Sequence, residues 1–370
     1  MMSNIQRNDI KITIAPLPPY RPDDINIYTK PLYASLSLKG FDILEKSPDY
    51  FSFKWLFKNI RRIDILHIHW PSKYYTSDAS IKILIKLLIF TIKLLTCRFS
   101  GIKIVWTVHN LYPHYYYPVR YPQIYHYIHK LARRLIATLS NLIIAHCHVA
   151  ERLIRQHFGC KPEKIIVLPH GSLCGWFPIK GVSKTEARKK LNFPLQAFIY
   201  LCFGRIEPYK GIKNLLEVCK KHLGDEDIVI VAGKPTDLSL KRRLEAERPS
   251  KVIFEMRYIP DAEIEYYFAT SDMVVLPYEN ILTSGAAVTA LSFGKPVIAP
   301  EMGCLPEILD KDFSILYNHK DSKGLSNALN KAKELDRSLA KKQAQKRAEE
   351  LRWEGISIKT AKAFEKLISG

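Results

Sequence analysis

The chain has 370 residues, of which 47% are hydrophobic and 25% charged, and its formal net charge is +20. This length suits two domains of roughly 150 to 200 residues each, and the composition excludes a disordered or collagenous chain. No apolar run reaches the roughly 18 uncharged residues of a membrane-spanning helix, and the N-terminus lacks the pattern of a secretory signal, which together favour a cytoplasmic protein.

Short β-branched runs alternate with amphipathic stretches, a pattern typical of parallel sheets flanked by helices. The predicted strands are residues 10–15, 63–69, 103–109, 142–146, 197–203, 227–232, 252–255, 273–277 and 296–299. Two such series predict an α/β protein with two Rossmann-like domains facing across a cleft. The expected boundaries are an N-terminal domain over 1–175, a Gly- and Pro-rich hinge over 176–195, a C-terminal domain over 196–350, and a final helix over 351–370 that packs back on the N-terminal domain.

One predicted helix, over residues 81–95, is apolar around most of its circumference and carries a stripe of three lysines, Lys82, Lys86 and Lys93. It lies in a basic stretch, because residues 51–150 contain 14 basic and 2 acidic residues. Lysines beside leucines suit a helix in the interface of an anionic membrane, whereas ordinary packing on the sheet is the alternative. No groove-entering motif supports a nucleic-acid partner. We therefore expect the N-terminal domain to contact the inner face of the cell membrane.

The strongest local signal follows the predicted strand 197–203. Gly204 permits a tight turn, Arg205 and Lys210 are five residues apart, and Gly211 precedes a predicted helix over 212–220. Both cations can point at one diphosphate, and a helix N-terminus adds backbone N–H groups. An exposed basic turn without a ligand is the simpler alternative.

A second loop follows the predicted strand 273–277. Glu279 lies in this loop, and Thr283, Ser284 and Gly285 cap a helix of small residues that ends at Gly294. Small residues at a helix start allow a phosphate to approach the free N–H groups. The sequence therefore predicts a second helix start that faces phosphate.

These segments together resemble the donor half of the GT-B glycosyltransferases, close to glycosyltransferase family 4. The family's G-R-x-x-x-x-K-G loop, its helix ending in G-K-P-V-I-A and its G-G-L-P-E turn are matched by residues 204–211, 279–299 and 303–307. More weakly, residues 64–69, 106–110 and 167–171 resemble strand ends of the acceptor domain. The resemblance implies the GT-B fold and a nucleoside-diphosphate sugar as donor.

The resemblance also implies roles for single residues. The donor-binding residues would be Gly204, Arg205, Lys210, Tyr258, Glu279, Thr283, Ser284 and Gly285. Arg205 and Lys210 would hold the diphosphate, Tyr258 would lie by the nucleotide base, and His109 would reach the transferred sugar. No D-x-D pair stands near a strand end, so we expect no metal cofactor.

The second loop departs from the family in one respect. Retaining members of family 4 carry two glutamates eight residues apart, and the corresponding positions here are Ile281 and Thr289. The loss of the pair favours an inverting reaction, in which a general base deprotonates the acceptor hydroxyl. His109 and Glu279 are the two candidates for the catalytic base. Two further acidic residues are held in reserve: Asp23 and Asp24.

Tyrosines follow His109 closely along the chain. They suit a sugar-stacking acceptor site or a membrane-interface belt, and an aromatic cluster beneath a long loop is the alternative. The predicted acceptor-binding residues are Asn110, Tyr112 and His114. His67 with His69, and His146 with His148, have the spacing of metal ligands, but strand alternation alone produces this spacing and no metal site is predicted.

The sequence therefore predicts a hexosyltransferase that acts from a GDP- or UDP-linked sugar on a lipid-linked or polysaccharide acceptor. Two alternatives stay open. A sugar-nucleotide epimerase of the same fold would not need the lysine-striped helix, and a non-catalytic subunit of a glycosyltransferase complex would explain the missing glutamates. The presence of Arg205, Lys210 and His109 argues against a non-catalytic subunit. Donor hydrolysis by the pure protein would distinguish an enzyme from such a subunit.

Overall fold

A computed structural model describes residues 11–23, 26–77, 80–113 and 122–370. It divides into two compact units, the first formed by Met1–Pro169 with Trp353–Gly370 and the second by His170–Arg352. Residues 176–195, predicted to be a hinge, lie within the second unit, and the C-terminal helix belongs to the first. Asp24 and His114 lie outside the described residues.

The first unit contains one parallel sheet in the order β2-β1-β3-β4-β5-β6. Its strands are β1 (Thr13–Leu17), β2 (Asp42–Ile43), β3 (Ile65–Ile68), β4 (Lys103–Thr107), β5 (Leu142–Ala145) and β6 (Ile165–Val167). Its helices are α1 (Thr29–Ser37), α2 (Phe53–Asn59), α3 (Ser72–Tyr75), α4 (Ser80–Phe99), α5 (Pro122–Leu139) and α6 (His148–Phe158). The central strands β3 and β5 are buried along their whole length, which explains their continuous apolar runs.

The second unit contains a parallel sheet in the order β12-β11-β10-β7-β8-β9. Its strands are β7 (Phe198–Phe203), β8 (Asp227–Ala232), β9 (Val252–Glu255), β10 (Met273–Val275), β11 (Val297–Pro300) and β12 (Ser314–Tyr317). Its helices are α7 (Lys184–Lys190), α8 (Ile212–His222), α9 (Leu238–Ala246), α10 (Asp261–Thr270), α11 (Gly285–Ser292), α12 (Leu305–Ile308), α13 (Gly324–Lys331) and α14 (Arg337–Glu350).

The last helix, α15 (Trp353–Ser369), returns to the first unit. Trp353 and Phe364 are fully buried there. The ring of Phe364 meets Phe41 at 6.3 Å and the imidazole of His67 at 5.4 Å, and Trp353 packs edge-on to Tyr28 at 5.1 Å. The end of the chain thus covers polar side chains of the first unit with apolar rings.

The predicted α/β fold with two parallel sheets is confirmed, and each of the nine predicted strands overlaps a strand of the structure. Sequence reasoning missed the edge strands β2, β6 and β12. These strands have two, three and four residues, too few for a recognisable run of β-forming residues.

The second unit buries charge as ion pairs. Asp272, just before β10, lies 2.9 Å from Arg188 Nη2, 2.5 Å from Lys184 Nζ and 3.0 Å from Arg337 Nη1. Glu265 on α10 accepts three successive backbone N–H groups ahead of α7. Both carboxylates tie the start of this unit to its sheet and to α10.

Candidate active site

The loop that carries Arg205 and Lys210 lies where the second sheet changes direction. The chain runs outward from β7 to β8 and β9, and then returns to the other side of β7 with β10. Ligands of open α/β sheets bind at the carboxyl ends of the strands at such a point. The loops after β7 and β10, which contain most of the predicted donor-binding residues, both start there.

Two glycines bring these loops together. Gly204 has a φ of 105°, and a Cβ placed on it would lie 3.2 Å from Lys210 Nζ, so the lysine folds back against the turn. Gly211 has a φ of 68° and directly precedes α8, and a Cβ there would lie 1.9 Å from the carbonyl oxygen of Pro277. Any larger residue at Gly211 would push the loop after β10 away from the start of α8.

Backbone and ring contacts join the same two loops. The N–H of Glu279 donates to the carbonyl oxygen of Tyr209 over 2.9 Å, and the rings of Tyr209 and Tyr278 stack with centroids 6.2 Å apart. The Glu279 side chain itself is exposed. The structure therefore fixes the backbone of this loop and leaves its one carboxylate at the surface of the unit.

Arg205, Glu207 and Lys210 form the charged centre of the loop after β7. Arg205 Nε lies 3.1 Å from Glu207 Oε1, and the side chain of Arg205 is 63% exposed whereas that of Glu207 is 7% exposed. Lys210 is buried, which lowers the pKa of its ammonium group, while Cys202 and Glu207 act in the opposite direction. The buried carboxylate of Glu207 thus orients Arg205, and Lys210 lies against the turn at Gly204, so both cations are suited to bind one diphosphate.

Sequence reasoning missed Glu207. The signal was present, because Glu207 is the one acidic residue in the segment 204–211. A lone carboxylate between two cations in a short loop indicates a preformed ion pair. The sequence leaves open which cation it meets.

The start of α11 is held by Ser284. Its Oγ accepts a hydrogen bond from the N–H of Ala287 over 3.1 Å and lies 2.9 Å from Tyr278 Oη. Ser284 is buried, so its hydroxyl serves as the helix cap, and Thr283 Oγ1 lies 3.7 Å from Cys304 Sγ. The part of this segment suited to an anion is the backbone at the partly exposed Gly285, because the first N–H groups of a helix lack intrahelical partners.

The turn after β11 supports this segment. Gly303 has a φ of 54°, and a Cβ there would lie 2.4 Å from the carbonyl oxygen of Ile281. The N–H of Cys304 donates to the carbonyl oxygen of Leu282 over 2.7 Å. The G-x-L-P-E turn therefore fixes the loop after β10 through its backbone.

The positions of the missing glutamates are buried. Ile281 and Thr289 are each 7% exposed and carry no carboxylate, so Glu279 is the acidic side chain of this loop. Tyr258 follows β9, two strands from β7 in the sheet, and is half exposed. Asp23, the described member of the reserve pair, is exposed in the first unit.

In the first unit, buried histidines gather at the carboxyl ends of β3, β4 and β5. We call Tyr33, His69, His109 and His146, with the carbonyl group of Leu168, the histidine chain. Its hydrogen bonds run from Tyr33 Oη to His69 Nε2 (2.6 Å), from His69 Nδ1 to His109 Nε2 (3.1 Å), from His109 Nδ1 to His146 Nε2 (3.3 Å) and from His146 Nδ1 to the Leu168 oxygen (2.9 Å). One predicted catalytic residue, His109, therefore lies in the middle of a buried hydrogen-bonded series.

A fourth histidine lies beside this series. His67 Nδ1 is 3.0 Å from Tyr33 Oη, and its Nε2 is 2.8 Å from Thr107 Oγ1. Burial lowers the pKa of His67 to about 3 and that of His69 well below its usual value, where the imidazoles of His67, His109 and His146 add to the effect. Charging any one ring would require an imidazolium with little access to water.

The structure separates the predicted acceptor-binding residues. Asn110 directly follows His109 and is partly exposed. Tyr112 Oη instead lies 3.1 Å from His157 Nδ1, and its ring packs on His126 and Phe158 between α5 and α6. Its position corresponds to the aromatic cluster that was the alternative to a sugar-stacking site.

The histidine pairs do not form a metal site in the described residues. His148 is exposed and lies 3.2 Å from Glu151, away from the histidine chain. Within the described ranges, no group of three or more His, Cys, Asp or Glu side chains is arranged to hold a metal ion. Metal independence stays a prediction.

The lysine-striped helix α4 has two opposite apolar faces. Its inner face is buried: Ile83, Leu87, Phe90, Leu94 and Cys97. The outward face of α4 is exposed by 40 to 86%: Leu84, Ile85, Leu88, Ile89, Ile92 and Phe99. Among the helices of the described residues, none is both long and apolar enough to cross a membrane.

The three lysines lie along one flank of α4 and differ in their surroundings. Lys82 is exposed, and Lys86 Nζ donates to the carbonyl oxygen of Thr76 over 3.1 Å. Lys93 is half-buried, because its Nζ donates to the carbonyl oxygen of Phe51 over 2.7 Å and lies over the rings of Phe51 and Phe53. Lys93 thus anchors α4 to α2 and does not extend freely into solvent.

Solved structures with the same architecture identify the class of fold. Sucrose-phosphate synthase from Thermosynechococcus elongatus superposes with a TM-score of 0.71 at 17% identity and covers 97% of this chain and 100% of its own. HepE from Anabaena, solved with UDP, has a TM-score of 0.69 at 15% identity and covers 96% and 100%. The two six-stranded sheets form a GT-B fold.

Two family models match, one in each unit. Residues 13–172 match Glycosyltransferase Family 4, and residues 183–350 match Glycosyl transferases group 1. The chain belongs to the group 1 glycosyltransferases of the GT-B fold, as its sequence motifs predicted.

Curated relatives are more distant. The GDP-mannose:glycolipid 4-beta-D-mannosyltransferase of Xanthomonas campestris pv. campestris is 25% identical over 243 residues, which are 65% of this chain and 62% of the relative. A D-inositol 3-phosphate glycosyltransferase of Geodermatophilus obscurus is 28% identical over 46% of this chain and 40% of its own length. The matches thus span less than two thirds of the length of these relatives.

Proposed function

We propose that the protein is a metal-independent, inverting hexosyltransferase that moves mannose from GDP-mannose to a lipid-linked acceptor. The observation that carries this proposal is the donor loop, in which Gly204, Arg205 and Lys210 stand at the switch point of the second sheet beside the start of α8. The Xanthomonas relative, whose name states GDP-mannose and a glycolipid, supports the choice of nucleotide, sugar and acceptor.

The donor loop is suited to a diphosphate because its charges are already oriented. Lys210 is held against the turn at Gly204, so it loses little conformational freedom when an anion binds. Arg205 is largely exposed and can exchange the carboxylate of Glu207 for a phosphate oxygen. Charge that develops on the leaving diphosphate would be stabilised by both cations and by the backbone at α8 and α11.

The missing glutamate pair supports inversion. An acceptor hydroxyl would attack the anomeric carbon, the bond from that carbon to the diphosphate oxygen would break, and the hydroxyl proton would pass to a general base. His109 and Glu279 are the candidates for this base. Mannose is α-linked in GDP-mannose, so inversion at the anomeric carbon would give a β-linked product. The name of the Xanthomonas relative also states a 4-beta linkage.

The outward face of α4 supports a membrane as the site of the acceptor. Six large apolar side chains lie on the side of α4 opposite the core, and exposed Phe53, Lys54, Phe57 and Lys58 of α2 are joined to it through Lys93. Apolar side chains that enter the acyl boundary, with lysines at the level of lipid phosphates, suit an anionic membrane surface. We place this face on the cytoplasmic side of the cell membrane.

The reaction can be tested directly with pure protein, GDP-mannose and a short-chain glycolipid extract. The NMR spectrum of the first-formed product is expected to show a β-mannosidic linkage, with UDP-glucose in parallel as the competing donor. Transfer from UDP-glucose alone would contradict the choice of donor, and an α-linked product would contradict inversion. Release of free sugar without transfer in every mixture would contradict the proposed acceptor.

A further inference from the structure

The histidine chain has one direction of hydrogen bonding, and a single group fixes it. The carbonyl oxygen of Leu168 can only accept, so His146 Nδ1 must donate to it. A neutral imidazole has one donor and one acceptor nitrogen, so His146 Nε2 accepts from His109 Nδ1. By the same rule His109 Nε2 accepts from His69 Nδ1, and His69 Nε2 accepts from the hydroxyl of Tyr33.

The same direction extends beyond Tyr33. The Tyr33 oxygen, having donated its proton toward His69, accepts from His67 Nδ1, and His67 Nε2 then accepts from the Thr107 hydroxyl. If the buried rings are neutral, every ring in the series therefore carries its proton on Nδ1.

This direction also determines what the series can do with a proton. A proton that moves along a hydrogen-bonded series leaves at the accepting end, and here that end is a backbone carbonyl, which does not take up a proton at ordinary pH. Both ring nitrogens of His109 are engaged by His69 and His146, so accepting a proton would break a buried hydrogen bond. The series is suited to orientation and unsuited to proton transport.

We propose that Tyr33, His69 and His146 are positioning residues that hold His109 as a neutral imidazole with its proton on Nδ1. Together they fix the segment after β4 against the ends of β3 and β5. The ring of His109 is further held by Trp70, which stacks on it with centroids 4.5 Å apart. On this assignment, which rests on the proposed function for its effect on catalysis, Glu279 is the base of the reaction.

The groups that surround the histidine chain are consistent with uncharged imidazole rings. The titratable groups packed against His69 are Tyr28 and Tyr33 near α1, His67 on β3, and His109 and His146 after β4 and β5. Tyr28 also meets the rings of His109 and His146 edge-on, at 4.6 and 5.1 Å. Burial raises the pKa of both tyrosines, so they stay protonated and able to donate.

A measurement that does not depend on activity tests the tautomers. In the full chain labelled with ¹⁵N-histidine, the rings of His69, His109 and His146 should show the shifts of neutral imidazoles protonated on Nδ1, unchanged between pH 5.5 and 8. Single His→Gln variants would assign the signals. A ring protonated on Nε2, or an imidazolium signal at pH 5.5 in the folded protein, would overturn the proposal.

A matched pair of variants tests the role in catalysis. In His146→Gln, the amide oxygen can accept from His109 and the amide nitrogen can donate to Leu168, so transfer should stay within about threefold of the wild type with the same pH profile of kcat/KM. In His146→Leu both bonds are lost, and transfer should fall at least tenfold while GDP affinity, a property of the second unit, is unchanged. His148→Gln, which alters an exposed histidine two residues further along the sequence, is the control.

Glutamine distinguishes orientation from proton transport because its amide does not titrate. His146→Gln could instead fold normally by circular dichroism and still lose as much activity as a variant without its general base, about 10² to 10⁴-fold. The histidine chain would then be a path for protons, and the proposal would be wrong. Should His146→Leu fail to fold, His69→Gln against His69→Leu repeats the comparison. If no donor supports transfer, the proposed function fails, and the NMR measurement still decides the tautomers.

Discussion

The two units share one architecture but bury polar groups in opposite ways. The first places neutral histidines and tyrosines at its strand ends, with Arg133 stacked on Trp106 as a charged exception. The second unit buries carboxylates beside cations: Asp272 pairs with the buried Arg188, and Glu207 pairs with the largely exposed Arg205. Neutral rings need no counter-charge. Residues 51–150, with 14 basic and 2 acidic residues, therefore keep a net charge of +12.

This difference indicates which kind of anion each unit is suited to bind. The second unit, residues 170–352, holds 29 basic and 24 acidic residues, and in its donor loop Glu207 pairs with Arg205 beside the buried Lys210. In the first unit the positive field is spread over a surface that includes the outward face of α4. A focused site suits a diphosphate, and a broad basic surface suits a membrane.

The largest expected effect is selective loss of stability in acid by the first unit. The pKa of His67 falls to about 3 in the folded state, so below about pH 6.5 the unfolded chain binds more protons, and stability decreases as pH falls toward the folded value. At about 1.4 kcal/mol per pH unit, His67 alone removes roughly 2–3 kcal/mol between pH 6.5 and 4.5, and the lowered pKa of His69 adds to this loss in the same direction. Hydrogen exchange should show β3 to β5 opening first.

His67→Gln provides the control for this comparison, because it removes one titrating ring and should make the pH dependence shallower. The second unit also holds a histidine with a lowered pKa, His170, at about 4, so it should lose stability as well but to a smaller extent. Equal loss of protection in both units at pH 5 would show that buried histidines do not distinguish them.

The next effect concerns the ion pairs of the second unit. Asp272→Asn would leave Arg188, which is 1% exposed, without its counter-charge, and the free energy of unfolding should decrease by about 3–5 kcal/mol. Asp225→Asn, at an exposed carboxylate paired with Lys251, is the matched control and should leave urea unfolding unchanged. Similar midpoints for both variants would mean that the buried charges are not paired as described.

A smaller effect is expected in donor binding. Lys210→Met removes a buried cation from the donor loop and should weaken GDP binding about 100-fold, within the roughly 1.5–3 kcal/mol of a charge-assisted contact. Lys213→Met, at an exposed position of α8, should bind GDP as the wild type does. Calorimetry measures both. Unchanged affinity in Lys210→Met and in Arg205→Ala would exclude this loop as the diphosphate site.

The smallest effect is expected at the membrane surface. Ile85→Gln with Leu88→Gln on the outward face of α4 should reduce sedimentation with anionic vesicles about tenfold, which at about 25 cal/mol per Å² corresponds to roughly 55 Å² of apolar area left in water. Leu238→Gln, at a 70% exposed leucine of the second unit, should have no effect. A wild-type protein that stays in the supernatant would show that this face does not bind membranes.

Local signals determined much of this protein from the sequence. The nine predicted strands, the helix at 81–95, the Gly204–Lys210 turn and the substitutions at Ile281 and Thr289 were all readable from neighbouring residues. Each depends on the period of a strand or helix, on a glycine at a strand end, or on a motif that is contiguous in the chain. Such patterns carry their information within about twenty residues.

The tertiary structure alone decided which distant groups meet. His69, His109 and His146 are separated by 40 and 37 residues, and they form one series only because β3, β4 and β5 are neighbours in the sheet. The inward anchoring of Lys93 and the pairing of Glu207 with Arg205 likewise depend on how loops and helices pack. Hydrogen bonds act over about 3 Å, whereas sequence spacing does not specify strand order, so the partners of these polar groups follow from the fold.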